Sequence, residues 1–328
     1  MILPDFPFRV EFEVISVCNL DCAYCYAKPL THMTPPIEHL QYLFEKTKEE
    51  ANPFETILLG GEPFLRRDII DVIQLASRTF EYGVGISTNG TLLSRLSRDR
   101  RIFELEKAVK NGVSLQISMD SVDPKVNEKT RGNTRAVLEG LRTLEEYDIP
   151  FSVGIVLTTS NAGDVVATSR QLLTRFGQLK TINLEPLQPT MALGEDYFGL
   201  RLDSEKMVQT LKAVNGVVAD LGRKDVKTVG VIEDCSKIEE GTTPLLETYG
   251  FKSCTAGLLR AGVFANGEVT PCVTLRDVSL GNLYSESWRD IWKRSKERFL
   301  SLDSEGGQCH LNNLRRDASK QKLAVLNK

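Results

Sequence analysis

Residues 9–25 read RVEFEVISVCNLDCAYC. From Arg9 to Ser16 apolar and polar residues alternate, which is the period of a β-strand. The chain then enters Cys18-Asn19-Leu20-Asp21-Cys22-Ala23-Tyr24-Cys25, a loop with three thiols within eight residues. A strand that delivers three cysteines to one loop predicts a metal site at the C-terminal end of that strand.

Downstream, strand-like and helix-like segments take turns. Strands are expected at Thr56–Leu59, Gly83–Ser87, Val113–Ser118, Phe151–Leu157 and Lys180–Leu184, and helices at 36–51, 68–79, 103–111, 135–147 and 162–176. Counting the strand at Arg9, this makes six βα-type units. Such alternation implies an α/β fold with a parallel sheet and helices outside it. Six strands closing partway give a partial (β/α)6 barrel over residues 1–200, with its active site at the C-terminal strand ends. Residues 201–250 read as a connecting helix (203–221) and a loop-rich stretch. Residues 251–328 read as a small C-terminal α+β iron–sulfur cluster domain. It is expected to hold a hairpin turning at Asn266-Gly267, a helix at 287–299 bearing Trp288 and Trp292, and a frayed end.

Composition narrows the function. The chain has 328 residues, 41% apolar and 26% charged, with a net charge of −3. That supports a packed core and gives no electrostatic case for binding nucleic acid. No run of about 18 apolar residues suggests a membrane span. The N-terminus lacks the basic start and apolar stretch of a signal peptide, so a cytoplasmic location is expected. Seven cysteines without a secretion signal argue against a disulfide framework. Their grouping towards the two ends of the chain suggests two metal sites.

Three thiolates at Cys18, Cys22 and Cys25 can hold three irons of a [4Fe–4S] cluster and leave the fourth iron open, and an open metal position is where chemistry can occur. A zinc site or buried thiols are the alternatives. Zinc sites usually pair CxxC with a second CxxC or a histidine pair, and the three histidines of this chain do not supply that spacing.

The triad, with Tyr24 before its last cysteine, resembles the CxxxCxxC signature of the radical S-adenosylmethionine (SAM) enzymes. The resemblance implies that the open iron chelates SAM. Reductive cleavage then yields methionine and a 5′-deoxyadenosyl radical, which takes hydrogen from a substrate. Gly60-Gly61-Glu62-Pro63, ending the second strand, looks like the family's GGE motif, whose backbone and carboxylate bind the SAM ammonium. The polar residues Ser87, Asn89, Ser118 and Asp120 end the third and fourth strands, and Asn161 follows the fifth. By resemblance these residues and Arg131 contact SAM, and Leu184 packs near its adenine. Read alone, Ser, Asn and Asp are common in turns for local reasons, and Leu184 reads equally as a core residue.

The second cysteine group, Cys254-x₁₂-Gly267-x₄-Cys272 followed by Cys309, resembles the opening of the SPASM and twitch extensions, which hold auxiliary iron–sulfur clusters. The later CxxCx₅C block of a full SPASM domain is absent. The resemblance therefore implies one auxiliary cluster, of the [4Fe–4S] kind, on Cys254, Cys272 and Cys309. Cys235 is either a fourth ligand or a buried thiol. The implied activity is that of a radical SAM oxidoreductase that oxidises or cross-links a peptide. A small-molecule dehydrogenase or rearrangement enzyme in cofactor or antibiotic biosynthesis is the second reading, and a non-enzymatic iron–sulfur electron carrier the third. Val273 stands where sulfatase-maturing members carry Asp. Only 17 residues precede Cys18, which leads to the expectation of a separate leader-peptide-binding protein or a small-molecule substrate. Flavodoxin or ferredoxin is the implied reductant.

Overall fold

Strand β1 (Arg9–Ile15) puts Val10, Phe12 and Val14 on one face and Glu11 and Glu13 on the other. The computed structural model describes residues 4–28, 31–188, 199–230 and 256–303. The apolar face of β1 packs against helix α1 (Ile37–Glu50), where Leu40, Leu43, Phe44 and Thr47 form the buried stripe. The Phe12 and Phe44 rings meet edge-on at 4.8 Å. The chain continues through β2 (Glu55–Gly60), α2 (Ile69–Thr79), β3 (Gly83–Thr88), α3 (Leu93–Arg98), α4 (Ile102–Lys110) and β4 (Ser114–Ser118). Then come α5 (Pro124–Thr130), α6 (Thr134–Glu146), β5 (Phe151–Leu157), α7 (Val165–Arg175), β6 (Leu179–Pro186), α8 (Ser204–Asp220) and β7 (Lys227–Gly230).

Strands β1 to β7 lie side by side in chain order, each parallel to the next. The sheet is open, as expected of a partial barrel. The six expected strands are all present. A seventh, β7, lies where the sequence reads as loop-rich, because α8 carries the chain back to the free edge of β6. The short helices α3 and α5 fall in stretches to which the sequence pattern assigns no element. Each has six or seven residues, too few for an apolar period to show.

The C-terminal part joins the opposite edge. Strand β8 (Arg260–Val263) pairs in parallel with β1, Arg9 opposite Arg260 and Glu11 opposite Gly262. It turns through Asn266-Gly267 into β9 (Glu268–Thr270), as the sequence predicts. Gly267 takes φ +80°, and its N–H donates to Phe264 O at 2.9 Å. Strand β10 (Gly281–Asn282) completes the edge. The hairpin is thus continuous with the barrel sheet.

Helix α9 (Trp288–Asp303) docks the C-terminal part onto α1. Trp288 and Trp292 are fully buried. The Trp288 indole donates to Thr47 Oγ1 at 3.0 Å, and the Trp288 backbone N–H donates to Glu50 Oε2 at 2.7 Å. Deleting a buried aromatic side chain costs about 3–5 kcal/mol. Trp288→Ala should lower the unfolding free energy in urea by that amount, and a loss below about 1 kcal/mol would show that α9 is not docked through this residue.

Candidate active site

The cysteine loop leaves β1 at Ile15 and is closed at its root. Ser16 donates its backbone N–H to Met33 O at 2.9 Å, while its hydroxyl accepts the Met33 N–H at 2.7 Å. The Gly60-Gly61-Glu62 segment prolongs the β1–β2 ladder into the loop. Gly61 N–H donates to Ile15 O at 2.7 Å, and Glu62 N–H donates to Val17 O at 2.8 Å. Both glycines are required by contact. A Cβ on Gly60 would lie 2.0 Å from Ile15 O, and one on Gly61 2.1 Å from Val17 O. Gly60 also takes φ +152°.

Glu62 is fully buried and its carboxylate is occupied by protein donors. Oε1 accepts from Phe64 N–H at 2.9 Å and from the Thr88 hydroxyl at 2.6 Å, and Oε2 accepts from Asn89 N–H at 2.7 Å. It therefore acts on the loop through Asn89. The Asn89 amide donates to Asn19 Oδ1 at 2.9 Å and stands 4.0 Å from Cys18 Sγ. Thr91 completes this network by donating to Asn89 Oδ1 and accepting from Asn19. Residues 19, 88 and 91 escape a sequence reading because Asn and Thr in turns carry no distinguishing spacing.

On the other side of the loop, the Tyr24 hydroxyl donates to Asp120 Oδ2, and Arg131 Nε donates to Asp120 Oδ1 at 2.8 Å. The Arg131 guanidinium lies 5.3 Å from the centre of the Tyr24 ring. Ala23 N–H donates to Thr130 O at 2.8 Å, tying the loop to the end of α5. Burial pushes the Tyr24 hydroxyl far up, so it remains a donor to Asp120. Tyr24 packs with Leu187, Val156 and Leu200.

The three thiols are partly exposed and in no disulfide. Burial raises Cys18, and burial with Cys25 and Cys18 nearby pushes Cys22 up to about 11, against the pull of Arg131. The thiols thus lie close enough to feel one another's charge. Yet among the described residues no three His, Cys, Asp or Glu side chains converge on a single ion. Three thiols within eight residues of one loop, none in a disulfide, are a donor set for a polynuclear cluster, whose irons each take a separate thiolate. Leu20 N–H points at Cys18 Sγ at 3.5 Å, a donor suited to a thiolate. These donors fit the cluster that the cysteine spacing implies.

The remaining expected residues fall as follows. Ser87 and Ser118 are half-buried at the ends of β3 and β4. Asn161 is fully buried and locks the end of β5. Its amide donates to Val156 O at 2.8 Å, and its oxygen accepts Thr158 N–H at 2.8 Å. Leu184 lies in the main core with Ile182, on the buried face of β6, alternating with Asn183 and Glu185. Leu187, beyond the strand end, is the leucine that reaches Tyr24. Cys272 is buried just after β9, with its Sγ 3.0 Å from Thr274 Oγ1. Cys235, Cys254 and Cys309 lie outside the described residues.

Buried carboxylates give this protein a signed pH dependence. Burial raises Glu62 from 4.5 to about 6 and also raises Glu13 and Glu185. An acid raised on folding contributes stability below its unfolded value and loses it as pH rises through its folded value. For Glu62 the change is about 2 kcal/mol. Urea unfolding of the metal-free protein should give a free energy that falls from pH 4.5 to pH 6, and a rise across that window would contradict the burial of these groups.

Comparison with known proteins places these features. Residues 12–172 match the radical SAM superfamily, and residues 254–313 match the SPASM iron–sulfur cluster-binding domain. The chain is 28% identical over 316 residues to the sporulation killing factor maturation protein SkfB of Bacillus subtilis (strain 168), covering 92% of this chain and 68% of SkfB. It is 24% identical over 297 residues to the antilisterial bacteriocin subtilosin biosynthesis protein AlbA of the same organism, covering 87% of this chain and 59% of AlbA. The fold matches Streptococcus suis SuiB bound to SAM with a TM-score of 0.70 at 14% identity, over 88% of this chain and 66% of SuiB. SuiB has also been solved bound to its precursor peptide SuiA. This chain thus spans only about two-thirds of the length of these relatives. The two domain matches bring with them a [4Fe–4S] cluster with SAM and auxiliary iron–sulfur chemistry. With its cysteine loop on an open parallel sheet, the chain belongs to the radical SAM superfamily and carries a SPASM-type region in its C-terminal part.

Proposed function

We propose that this chain cleaves SAM reductively and uses the resulting radical to oxidise or cross-link a peptide substrate. The observation that carries this reading is the enclosed cysteine loop at the strand ends, braced by Gly60–Glu62 and Asn89 on one side and by Asp120 and Arg131 on the other. The peptide class is supported by SkfB and AlbA, named for the maturation and biosynthesis of a killing factor and a bacteriocin, and by SuiB, which binds a precursor peptide.

A reduced [4Fe–4S] cluster with SAM supplies, when bound, the electron that breaks a sulfonium C–S bond. The protein's own tasks are holding and orienting. Cys18, Cys22 and Cys25 hold three irons, each giving up its proton on ligation. Glu62 holds Asn89 against Cys18, while Gly60 and Gly61 let the end of β2 lie against the backbone of the cysteine loop. Arg131 spends Nε on Asp120, and among the described residues its two Nη atoms make no hydrogen bond, so they suit a carboxylate. Tyr24, Val156 and Leu187 form the apolar wall beside them. Ser87 and Ser118 stand on the rim at the strand ends, and the buried Asn161 holds the end of β5 behind them. In the C-terminal part, Cys272 with Cys254 and Cys309 ligates the auxiliary cluster, and Cys235 is the candidate fourth ligand.

The protein is proposed to act in the cytoplasm, where flavodoxin or ferredoxin supplies electrons and a leader-binding protein delivers the peptide. Among the described residues no helix is long and apolar enough to cross a membrane.

Anaerobic reconstitution tests the reading. With dithionite and SAM the protein should release 5′-deoxyadenosine and methionine. The Cys18/Cys22/Cys25→Ala variant should lose the release and about four irons per chain. A wild-type protein that takes up iron yet releases no 5′-deoxyadenosine would refute it.

A further inference from the structure

On β1, β4 and β6 the inner face of the sheet carries polar side chains, Glu11 and Glu13 on β1 among them. On β4 the residues between the buried Leu115 and Ile117 and beside them are Ser114, Gln116 and Ser118, and on β6 Asn183 and Glu185 alternate with buried Ile182 and Leu184. Most acids on this face and at its mouth have a guanidinium partner. Glu11 meets Arg9 at 3.1 Å, Glu13 meets Arg276 at 2.6 Å, and Asp120 meets Arg131 at 2.8 Å. Glu62 has none but is capped by three donors.

Glu185 is the exception. Its Oε1 accepts from Gln116 Nε2 at 3.1 Å, and Gln116 Oε1 in turn accepts from Asn183 Nδ2 at 2.6 Å. Gln116 spans β5 to reach them because residue 154 is glycine. A Cβ on Gly154 would lie 2.8 Å from Gln116 Nε2 and 3.4 Å from Glu185 Oε1. Among the described residues no ion pair reaches Glu185, and neither Glu185 Oε2 nor Asn183 Oδ1 accepts a hydrogen bond. Arg131 and Arg9 act on Glu185 only at longer range. Glu185 is only half-buried, so its Oε2 stays open to a ligand, and a cation there would supply the counter-charge that no neighbour bonds to it.

Its position links it to the reaction. Glu185 pairs in register with Val156 of β5, and Val156 packs on Tyr24 of the cysteine loop. Two open acceptors therefore stand on the inner wall one residue from the apolar contact that backs the loop.

We propose that Glu185, with Asn183, binds a cationic group of the substrate, the ammonium or guanidinium of a basic residue, and so selects which part of a peptide is presented to the radical. The proposal rests on the cysteine loop being the SAM site. A neutral amide would fill the hydrogen bonds but leave the charge uncompensated, whereas a cation fills both.

The test uses reconstituted enzyme with SAM and two probes, acetyl-Ala-Ala-Lys-Ala-Ala-amide and its Nε-acetyl-lysine counterpart, in titration calorimetry. The wild type should bind the lysine peptide about tenfold more tightly. In Glu185→Gln, which keeps the acceptor for Gln116, that preference should fall to within about twofold. Equal binding or no binding of the two peptides by the wild type overturns the proposal without needing the variant to fold. So does a preference that survives in Glu185→Gln, and so does a variant that loses SAM affinity, which would put Glu185 in the SAM site. Release of 5′-deoxyadenosine by the wild type is scored separately. Its absence removes the SAM reading, whereas release without a charge preference removes only the role of Glu185.

Discussion

The close approach of Gly60 and Gly61 to the carbonyls of Ile15 and Val17 is the constraint on which the site depends. At 2.0 and 2.1 Å from a would-be Cβ, no side chain fits, and the β2 end can follow the cysteine loop past the last residue of β1 only with glycine at both places. That contact sets the direction in which Cys18 leaves the sheet. It also places Glu62 where its two oxygens collect donors from Phe64, Thr88 and Asn89. Two strand ends, those of β2 and β3, are thereby joined around one carboxylate, and the first thiol is held by the amide network that this carboxylate organises.

Burial does much of the electrostatic work. Glu62, Glu13 and Glu185 are all raised by burial, and each is answered differently. Glu62 has neutral donors, Glu13 has the Arg276 guanidinium stacked 4.3 Å over Phe264, and Glu185 has a single amide. The Glu13–Arg276 pair also joins β1 to the segment that follows Cys272, so the strand leading to the first cysteine group touches the region of the second. The hairpin β8–β9 adds to β1 directly, which makes the two cysteine-bearing parts neighbours along one sheet.

Much of the fold was legible in the sequence because the core strands carry strong apolar runs or clean alternation. The Arg9–Ile15 strand, the Phe151–Leu157 strand and the Asn266-Gly267 turn stand where their patterns place them. The strand β7 was not legible, since Lys227–Gly230 has four residues and its identity comes from pairing with β6. In the site, the cysteine spacing and the double glycine were readable because their chemistry requires those residue types at those positions. Glu185 and Gln116 were not, because they become neighbours only across β5, and the glycine that lets them meet looks like any strand glycine. Leu184 and Leu187 show the same limit. Leu184 is on β6 and Leu187 just beyond it, and only the three-dimensional path of the chain separates the core residue from the one beside Tyr24.

The central claim is that Cys18, Cys22 and Cys25 leave one iron open for SAM. Electron–nuclear double resonance on the reduced protein, with SAM isotopically labelled in its amino and carboxylate groups, reads that contact directly. Hyperfine coupling from both labels, lost in the Cys18→Ala variant, is the predicted result. A reduced cluster that shows no coupling to either label would contradict it.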